Sequence, residues 1–368
     1  MDAGLDRHEV IVIGGGQAGL ALGYHLAHQR RRFTILDAGD APAAVWRSRW
    51  ESLTLFTPAR YDALPGRAFP GDPDHYPTRD EVVAYLTDYA HDFELPLELN
   101  TRVRAVQASE RGYLVETDDR AYEADQVVIA TGPFQTPRIP AIAPDLAAEV
   151  HQLHSGDYRR PDDIPDGPVL VVGGGNTGFQ IAHELAATNE VHLAIGSRQT
   201  PLPQRVLARA LLTVLTATGL MGKTVDSRLG RRLSGRDALI GSSPRAIRRR
   251  GVHVRPQATA AAGATITFAD ESTLDTRTVI WATGFGVDYS YVDAPVFSND
   301  GAVIHTRGVT AAPGLYFLGM PWQHTRGSAL LGWVKDDAQH IADKISQLSR
   351  GRADAPTNRS RPAAAHGA

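Results

Sequence analysis

The sequence predicts an α/β protein with two βαβ units, because two glycine-rich turns each follow a short apolar run. Residues 14–19 have the sequence G-G-G-Q-A-G after the apolar residues 10–13, and residues 173–178 have G-G-G-N-T-G after residues 169–172. Both fit the pattern G-x-G-x-x-G between a buried strand and a helix, in which the second glycine lets the backbone approach a pyrophosphate. The turns lie about 160 residues apart, so we expect two Rossmann-like dinucleotide-binding domains in one chain.

The first unit ends in an acid at the distance expected for a ribose contact. The apolar pattern predicts a strand over residues 9–13, a helix over 18–29 and a second strand over 33–37. Asp37 lies 18 residues after Gly19, where a carboxylate accepts hydrogen bonds from an adenosine ribose. Without the glycine turn Asp37 would be an ordinary acid at a strand end; with the turn, we predict that it binds a ribose.

The second unit has no acid at the corresponding place. Its second strand, residues 191–195, ends in Gly196-Ser197-Arg198, and no carboxylate flanks that position. A carboxylate would repel a 2′-phosphate, whereas Ser197 can donate to one and Arg198 can pair with it or stack on the adenine. Arg198 as a solvated surface arginine is the simpler alternative. We therefore predict FAD in the first site and NADPH, with NADH tolerated, in the second.

Two Ala-Thr-Gly turns bracket the second unit. A strand over residues 126–129 ends at Ala130-Thr131-Gly132, and a strand over residues 278–281 ends at Ala282-Thr283-Gly284. This arrangement predicts a discontinuous FAD-binding domain, residues 1–160 and 285–350, with the NADPH-binding domain, residues 161–284, inserted into it. The fold class is therefore α/β, with two Rossmann-like domains, one inside the other.

Three segments outside the two units also have a predicted structure. Thr78 and Glu81 form a capping-box pattern, which predicts a helix start. Residues 201–241 are predicted to be a helical excursion of the inserted domain: a buried or partner-packed helix, a membrane-surface helix or a substrate-access lid. Residues 351–368 are rich in Arg, Ala, Pro and Ser and are predicted to be a disordered tail.

Composition excludes several classes of function. Of the 368 residues 42% are hydrophobic, and the formal net charge is −3, so nothing predicts binding to nucleic acid or to an anionic membrane. The longest apolar stretch, residues 206–221, is short for a membrane span and is interrupted by Arg209. The first strand begins close to the N-terminus and leaves no room for a signal peptide. We expect a cytoplasmic protein without a membrane span.

The chain contains no cysteine. Many proteins with two dinucleotide folds are disulfide reductases, which pass electrons from a flavin through a pair of thiols. This chain cannot perform that step, and it cannot hold a cysteine-ligated iron–sulfur cluster. The electrons must therefore go to a small molecule, to oxygen or to a partner protein.

Several motifs together resemble the class B flavin-dependent monooxygenases, in particular the small bacterial relatives of flavin-containing monooxygenases. The resemblance runs from about residue 10 to about residue 345 and includes both glycine turns, both Ala-Thr-Gly turns and Trp46-Arg47. Residues 154–158, H-S-G-D-Y, are similar to the second half of the family fingerprint F-x-G-x-x-x-H-S-x-x-Y, whereas Ala148 and Val150 stand where Phe and Gly would be. The family's asparagine near the flavin is absent from residues 53–58.

The resemblance implies a reaction and a set of partners. In the family NADPH reduces FAD, oxygen adds to the reduced ring as a C4a-hydroperoxide, and one oxygen atom passes to a sulfur, a nitrogen or a carbonyl. The partners would thus be molecular oxygen and a small soft nucleophile such as a sulfide or an amine. Tyr158 at the end of the fingerprint favours the heteroatom-oxidising branch over the Baeyer–Villiger enzymes, which usually have Trp there. We expect His154 to support the linker and nucleotide binding.

The segment after the last predicted strand supplies the candidates at the flavin edge. Residues 314–319 are predicted to be that strand, and a helix is predicted from near Ser328 through Leu331, with its N-terminus toward the flavin. Gly319-Met320 stands where such flavoproteins often have Gly-Asp. The candidate catalytic residues are Trp322, Gln323, His324 and Arg326.

The cofactor-binding prediction covers both glycine turns and the segments around them, and no metal site is predicted. For FAD the residues are Gly14, Gly16, Gln17, Ala18, Gly19, Asp37, Trp46, Arg47, Thr57, Val103, Ala130, Thr131, Gly132, Ser328 and Leu331. For NADPH they are Gly173, Gly175, Asn176, Thr177, Gly178, Ser197, Arg198, Ala282, Thr283 and Gly284.

Two other functions remain open at this point. A reductase or oxidase would reduce the flavin in the same way but pass electrons to a quinone or release peroxide. An electron-transfer partner would dock a carrier protein, and its only support is the cluster Arg248-Arg249-Arg250, which a solvated helix face also explains. The sequence leaves the physiological substrate open, and also the oligomeric state, monomer or homodimer.

Overall fold

A computed structural model describes residues 5–196, 201–202, 205–206, 209–210, 213, 216, 218–219, 221–228 and 239–353 of the chain. In these residues the architecture is mixed α/β, with two separate large sheets. Each large sheet contains one of the predicted βαβ units, so the α/β fold class with two Rossmann-like units is confirmed.

The helices and strands of the described residues follow in chain order. The α-helices are α1 (Gln17–His28), α2 (Ala44–Arg47), α3 (Arg79–Asp92), α4 (Asn176–Leu185), α5 (Pro244–Arg248) and α6 (Val334–Ala353), with 3-10 turns at Ala59–Tyr61, Ala143–Asp145 and Pro161–Asp163. The strands are β1 (Asp6–Ile13), β2 (Phe33–Leu36), β3 (Leu97–Glu98), β4 (Val103–Ser109), β5 (Gly112–Thr117), β6 (Ala121–Ile129), β7 (Thr136–Pro137), β8 (His151–His154), β9 (Val169–Val172), β10 (Val191–Ala194), β11 (Pro201–Leu202), β12 (Arg205–Val206), β13 (Arg209–Ala210), β14 (Leu239–Ile240), β15 (His253–Arg255), β16 (Ala258–Ala262), β17 (Thr265–Phe268), β18 (Thr273–Asp275), β19 (Thr278–Trp281), β20 (Phe285–Gly286), β21 (Val292–Asp293) and β22 (Leu315–Phe317).

The first sheet takes strands from both ends of the described chain. Its order is β21-β4-β5-β6-β1-β2-β3, and β22 also pairs with β6. β1 is parallel to both β2 and β6, with Val12 opposite Ile35 on one side and Val128 on the other. The strands β4, β5 and β6 form an antiparallel meander beside this parallel part. Parallel β1, β2 and β6 bring the glycine turn and the first Ala-Thr-Gly turn to the same sheet edge.

The second sheet is parallel throughout, in the order β15-β10-β9-β19-β8. β9, α4 and β10 form the second βαβ unit, and β19 places the second Ala-Thr-Gly turn beside the second glycine turn. Strand β8 lies within the first predicted segment, residues 1–160, yet it pairs with β19. The apolar residues of β9 and β10 are buried on both faces of the sheet, except that Val172 is half-buried, as expected of a parallel sheet.

The hydrophobic cores of the two sheets meet at the segment after α2. One core lies between the first sheet and helices α1, α3 and α6, and the other surrounds β9, β19 and α4. Trp50 and Leu53 are buried in the second core, whereas Trp46 and Leu55 pack against both cores. This shared packing positions residues 46–55 between the two nucleotide units.

Two local predictions have clear structural outcomes. The capping box is confirmed, because the Thr78 side chain accepts from the Glu81 backbone N–H while the Glu81 side chain accepts from the Thr78 N–H. The predicted helix start near Ser328 is wrong, because the helix begins at Val334. A Cβ on Gly332 would lie 1.7 Å from the Tyr61 carbonyl oxygen, so the segment before Val334 is held in turns against residues 61–62.

The structure describes only part of the predicted excursion and of the predicted tail. Of the predicted helical excursion 201–241, four described segments are extended, since β11 pairs with β14 and β12 pairs with β13, whereas the described residues 213, 216 and 228 are helical. Most of the remaining excursion lies outside the described residues. Helix α6 continues to Ala353, three residues into the predicted tail 351–368; residues 354–368 are not described. Among the described residues no helix has the length and apolar character needed to cross a membrane.

Candidate functional site: two glycine turns on one cavity

The first glycine of each turn has a backbone conformation that a side chain would strain. Gly14 has φ +110° and Gly173 has φ +137°. A Cβ on Gly14 would lie 2.6 Å from the Ala130 carbonyl oxygen, and one on Gly173 would lie 2.1 Å from the Ala282 carbonyl oxygen. Each glycine turn therefore rests directly on an Ala-Thr-Gly turn, and the two sites have the same construction.

Of the other two glycines of each turn, the third allows the helix to pack closely on the strand and the second leaves open space for a ligand. A Cβ on Gly19 would lie 1.9 Å from the Gly14 carbonyl oxygen, and one on Gly178 would lie 2.1 Å from the Gly173 oxygen, so both close the contact of helix on strand. At Gly16 and Gly175 no atom lies within 4 Å of an added Cβ. These bare positions precede the N-termini of α1 and α4, whose first N–H groups lack helical partners. Both turns thus fit a dinucleotide pyrophosphate.

Asp37 is fixed at the end of β2 by backbone donors. Its Oδ2 accepts from the Gly15 N–H at 2.5 Å and its Oδ1 accepts from the Gly39 N–H at 2.7 Å. A carboxylate oxygen accepts more than one hydrogen bond, so both oxygens keep capacity for ribose hydroxyls. The carboxylate also lines both cavities that adjoin the first glycine turn.

Two cavities adjoin the first turn and share residues. The main cavity, of about 260 Å³, is lined by residues 14–18, 130–132 and Gly319 from the first unit and by Asn176, Thr177 and Gln180 from the start of α4. A second cavity, of about 660 Å³, is lined by Val103, Thr101 and Tyr291 on its far side. Gly14, Asp37 and Thr131 line both cavities. The two cavities thus adjoin at the carboxyl end of β1, and the main cavity also reaches the start of α4 in the second unit.

Gln17 and Trp46 connect three elements at the main cavity. The Trp46 indole N–H donates to Gln17 Oε1 at 2.9 Å, and Gln17 Nε2 donates to the Ala329 carbonyl at 3.4 Å. Both side chains belong to residues that line the main cavity. Arg47, predicted beside Trp46, is exposed and is absent from the lining of the described cavities.

The four candidate catalytic residues lie outside the described lining of the main cavity. Gln323 is 1% exposed, and its Oε1 accepts from the Met320 N–H at 3.3 Å. Its side chain fills the space beside Gly308, where a Cβ would lie 2.5 Å from Gln323 Nε2. The His324 N–H donates to Ser328 Oγ at 3.0 Å, and Trp322 has φ +57°. Arg326 belongs to the same turn-rich segment. These contacts lie within the segment itself and at Gly308, outside the described cavity lining.

Three predicted cofactor residues are likewise held inside the protein. Ser328 is buried and accepts from two backbone N–H groups of its own turn, and Leu331 is buried in the core of the first sheet. The Thr57 hydroxyl donates to Asp62 Oδ1 at 2.6 Å. Burial raises the pKa of Asp62 to about 8, because the side chain has no contact with water to solvate its charge, and the Thr57 hydrogen bond offsets only part of that shift.

The second site is built around α4 and the second Ala-Thr-Gly turn. Asn176 Oδ1 accepts from the Ile240 N–H at 2.8 Å, which ties the start of α4 to β14. The Thr283 hydroxyl donates to the Arg138 carbonyl. Ser197 and Arg198, the predicted 2′-phosphate ligands, lie outside the described residues.

His154 joins the linker to the second Ala-Thr-Gly turn. Its Nε2 lies 3.0 Å from the Gly284 carbonyl and its Nδ1 lies 3.1 Å from the Gly156 N–H. These partners require a proton on Nε2 and a lone pair on Nδ1, which is the neutral ring. Burial lowers the pKa of His154, and the contact with Gly284 offsets only part of that effect. Its ring also meets Phe285 edge-on at 4.7 Å.

Sequence reasoning missed the residues that form the junction between the two units. Arg49, Ser155 and Gln180 line the main cavity, as do Phe134 and Phe285. Phe134 and Phe285 each follow an Ala-Thr-Gly turn within two residues, a repeated pattern that could have identified them. No sequence pattern identifies Arg49, because its neighbours Phe134 and Phe285 are distant in the chain and come together only in the folded protein.

This chain resembles known proteins over most of its length. The family model of pyridine nucleotide-disulphide oxidoreductases matches residues 11–207. A CzcO-like oxidoreductase of Geobacillus kaustophilus is 43% identical over 340 residues, which are 92% of this chain and 98% of the relative. The indole-3-pyruvate monooxygenase YUCCA4 of Oryza sativa subsp. japonica is 26% identical over 397 aligned positions, covering 94% and 89% of the two chains. The structure of a flavin-containing monooxygenase from Stenotrophomonas maltophilia superposes with a TM-score of 0.79 at 29% identity, covering 94% of this chain and 100% of that one.

The fold and the paired glycine turns define a flavoprotein oxidoreductase with two dinucleotide-binding units. The chain belongs to the pyridine nucleotide-disulphide oxidoreductase family. It is a flavin-dependent oxidoreductase whose relatives and structural neighbours include flavin monooxygenases, as the resemblance in sequence predicted.

Proposed function

We propose that this protein is an NADPH-dependent, FAD-containing monooxygenase that oxygenates a small soft nucleophile, a sulfide or an amine, through a C4a-hydroperoxyflavin; a ketone is the alternative substrate. FAD would occupy the first glycine turn and NADPH, with NADH tolerated, the second. We also propose the discontinuous arrangement, with residues 161–284 as the NADPH-binding domain within residues 1–160 and 285–350.

One observation carries the proposal: the N-termini of α1 and α4 open onto the same cavity. Two dinucleotides that each begin at one of these turns would extend toward each other there. Direct hydride transfer requires the reacting atoms to approach to about 3–3.5 Å. Two dinucleotides bound in one cavity could meet this requirement. The chain has no cysteine, so no thiol pair within it can take the electrons onward.

The chain's own groups would bind and orient the cofactors. The N–H groups at Gly16 and Gln17 would hold the FAD pyrophosphate and Asp37 the ribose, while Asn176 and Thr177 would hold the second dinucleotide. The bound flavin supplies hydride acceptance and oxygen activation. In the net reaction NADPH, a proton, oxygen and the substrate give NADP⁺, water and the monooxygenated product. The apolar walls from Trp50, Leu53 and Phe56 would exclude water from that space.

The decisive experiment mixes NADPH-reduced holoenzyme with oxygenated buffer in a stopped-flow spectrometer. Without substrate, we expect a transient near-ultraviolet absorbance before oxidised flavin returns. Methyl phenyl sulfide should speed the decay of that absorbance and give sulfoxide in proportion to the NADPH consumed.

Two results would support the other functions instead. Direct return of oxidised flavin, with peroxide equal to NADPH and no oxygenated product from sulfides, amines or ketones, would support a reductase or oxidase. A rate that depends on an added carrier protein and falls with salt would support an electron-transfer partner. Partial release of peroxide beside a stoichiometric fraction of sulfoxide remains compatible with the monooxygenase.

A further inference from the structure

Arg49 places a positive charge in the wall of the main cavity. Its guanidinium carbon lies 4.6 Å from the ring centre of Phe134 and 5.1 Å from that of Phe285. Phe134 follows the first Ala-Thr-Gly turn and Phe285 the second. The charge therefore lies where the two units meet, with an aromatic ring on either turn close to it.

No counterion for Arg49 occurs in the part of the chain that the structure describes. Burial, together with the nearby Arg159 guanidinium, lowers the pKa of Arg49 to about 10, and no carboxylate is near enough to oppose that shift. Arg159 itself donates to the Gly156 carbonyl at 2.7 Å and to the Tyr158 carbonyl at 3.1 Å. Arg49 is thus the one cation in the described lining of the main cavity, and Arg159 beside it offers no negative charge. A half-buried charge without a partner is unfavourable, and a bound anion would relieve it.

The described lining offers only one negative group, and that group is engaged elsewhere. Asp37 is the sole carboxylate among the residues that line the main cavity, and its oxygens accept from Gly15 and Gly39 at the first glycine turn. Apart from Arg49 and Asp37 the described lining is uncharged: it includes the apolar Trp50, Leu53 and the two phenylalanines, with polar side chains such as Thr54 and Ser155. Phe134 is 55% exposed and lies at the opening. A ligand that complements the Arg49 charge and the apolar lining residues has an apolar body and one anionic group.

We propose that Arg49 binds the carboxylate of the substrate, so that the substrate class is an apolar or aromatic carboxylic acid that carries the oxidisable sulfur, nitrogen or carbonyl. This inference rests on the proposed function. Phosphate is the other anion available to the site, from a dinucleotide. The pyrophosphates would have dedicated donors at the two glycine turns, which leaves the guanidinium, able to form two parallel hydrogen bonds with either anion, for a substrate carboxylate.

The test compares an acid with its neutral ester on the holoenzyme. The probes are 4-(methylthio)benzoate and its methyl ester, which carry the same sulfur. Each is titrated into oxidised enzyme, with the change in the visible flavin spectrum giving Kd, and each is then used in turnover to give kcat/KM. The variants are Arg49→Met, which removes the charge, and Arg49→Lys, which keeps it without the planar fork. Arg160→Gln is the matched control, since Arg160 is an exposed arginine paired with Asp163.

We expect wild type to bind the acid at least about tenfold more tightly than the ester, the gain typical of a charge-assisted hydrogen bond. Arg49→Met should abolish that preference, Arg49→Lys should retain part of it, and Arg160→Gln should retain all of it. Flavin content and the KM for NADPH should remain at wild-type values in all three variants, and no variant should melt below wild type, since Arg49→Met removes an unpaired half-buried charge.

Other outcomes overturn the inference. If the wild type binds acid and ester equally, the proposed carboxylate site is refuted by the wild-type measurement alone. A raised KM for NADPH in Arg49→Met with the acid preference intact would assign Arg49 to a dinucleotide phosphate. Because Kd is measured without turnover, an acid preference that depends on Arg49 stands even where no sulfoxide forms, and in that case only the monooxygenase proposal fails.

Discussion

The second glycine of each turn allows cofactor binding to be separated from folding. Gly16 has φ −76° and Gly175 has φ −83°, values that any residue adopts, and no atom lies within 4 Å of a Cβ at either position. Valine at these places should therefore cost the apoprotein about 1 kcal/mol or less, the difference between glycine and an apolar residue at a helix N-cap. The same substitution at Gly19, where the Cβ would meet the Gly14 oxygen at 1.9 Å, would disturb the fold itself.

We expect Gly16→Val to lose FAD and Gly175→Val to keep it. The valine methyl groups would occupy the space through which a pyrophosphate reaches the first N–H groups of the helix. Two charge-assisted hydrogen bonds of about 1.5–3 kcal/mol each correspond to a loss of affinity of about 10²–10⁴-fold. In Gly16→Val this loss should fall on FAD, and in Gly175→Val it should fall on NADPH, so each variant is the control for the other.

The assay measures flavin per chain by absorbance, Kd for FAD by fluorescence titration of the apoprotein, and Kd for NADPH by titration of the flavin-containing form. The melting temperature of each apoprotein checks the fold. Full flavin content in Gly16→Val would refute the assignment of the first site. Loss of FAD in both variants would refute the assignment of one dinucleotide to each turn.

Two further predictions concern single residues. Arg198→Ala should raise the KM for NADPH about tenfold or more, and that for NADH much less, because only NADPH has a 2′-phosphate to pair with; equal effects on the two coenzymes would assign Arg198 to the adenine or to the surface. Asp62→Asn should gain stability over wild type as pH rises. The folded pKa of Asp62 is raised to about 8 from 3.8, so the folded state holds a proton that the unfolded state has released between these values, and wild type loses up to about 1.4 kcal/mol per pH unit there. Melting temperatures of both proteins at pH 5, 6.5 and 8 measure this, and a difference that does not change with pH would contradict it.

The sequence by itself determined the local parts of the two nucleotide sites. The glycine turns, Asp37 and the capping box at Thr78 were all predicted from spacings within one strand, turn and helix. Such features depend on contacts between residues close in the chain, so they can be predicted without knowledge of the tertiary structure. The prediction that Ser197 and Arg198 bind a 2′-phosphate rests on that local reasoning alone, because both residues lie outside the described part of the chain.

The tertiary structure decided which groups face the shared cavity. Gln323 was predicted at the flavin edge, yet it is buried beside Gly308, and the helix predicted at Ser328 begins at Val334 because Gly332 packs against Tyr61. Arg49 became a site residue only when Phe134 and Phe285, distant in the chain, closed around it. Local spacing sets which backbone groups are available, whereas side-chain burial and charge pairing depend on the residues that folding brings together from distant parts of the chain.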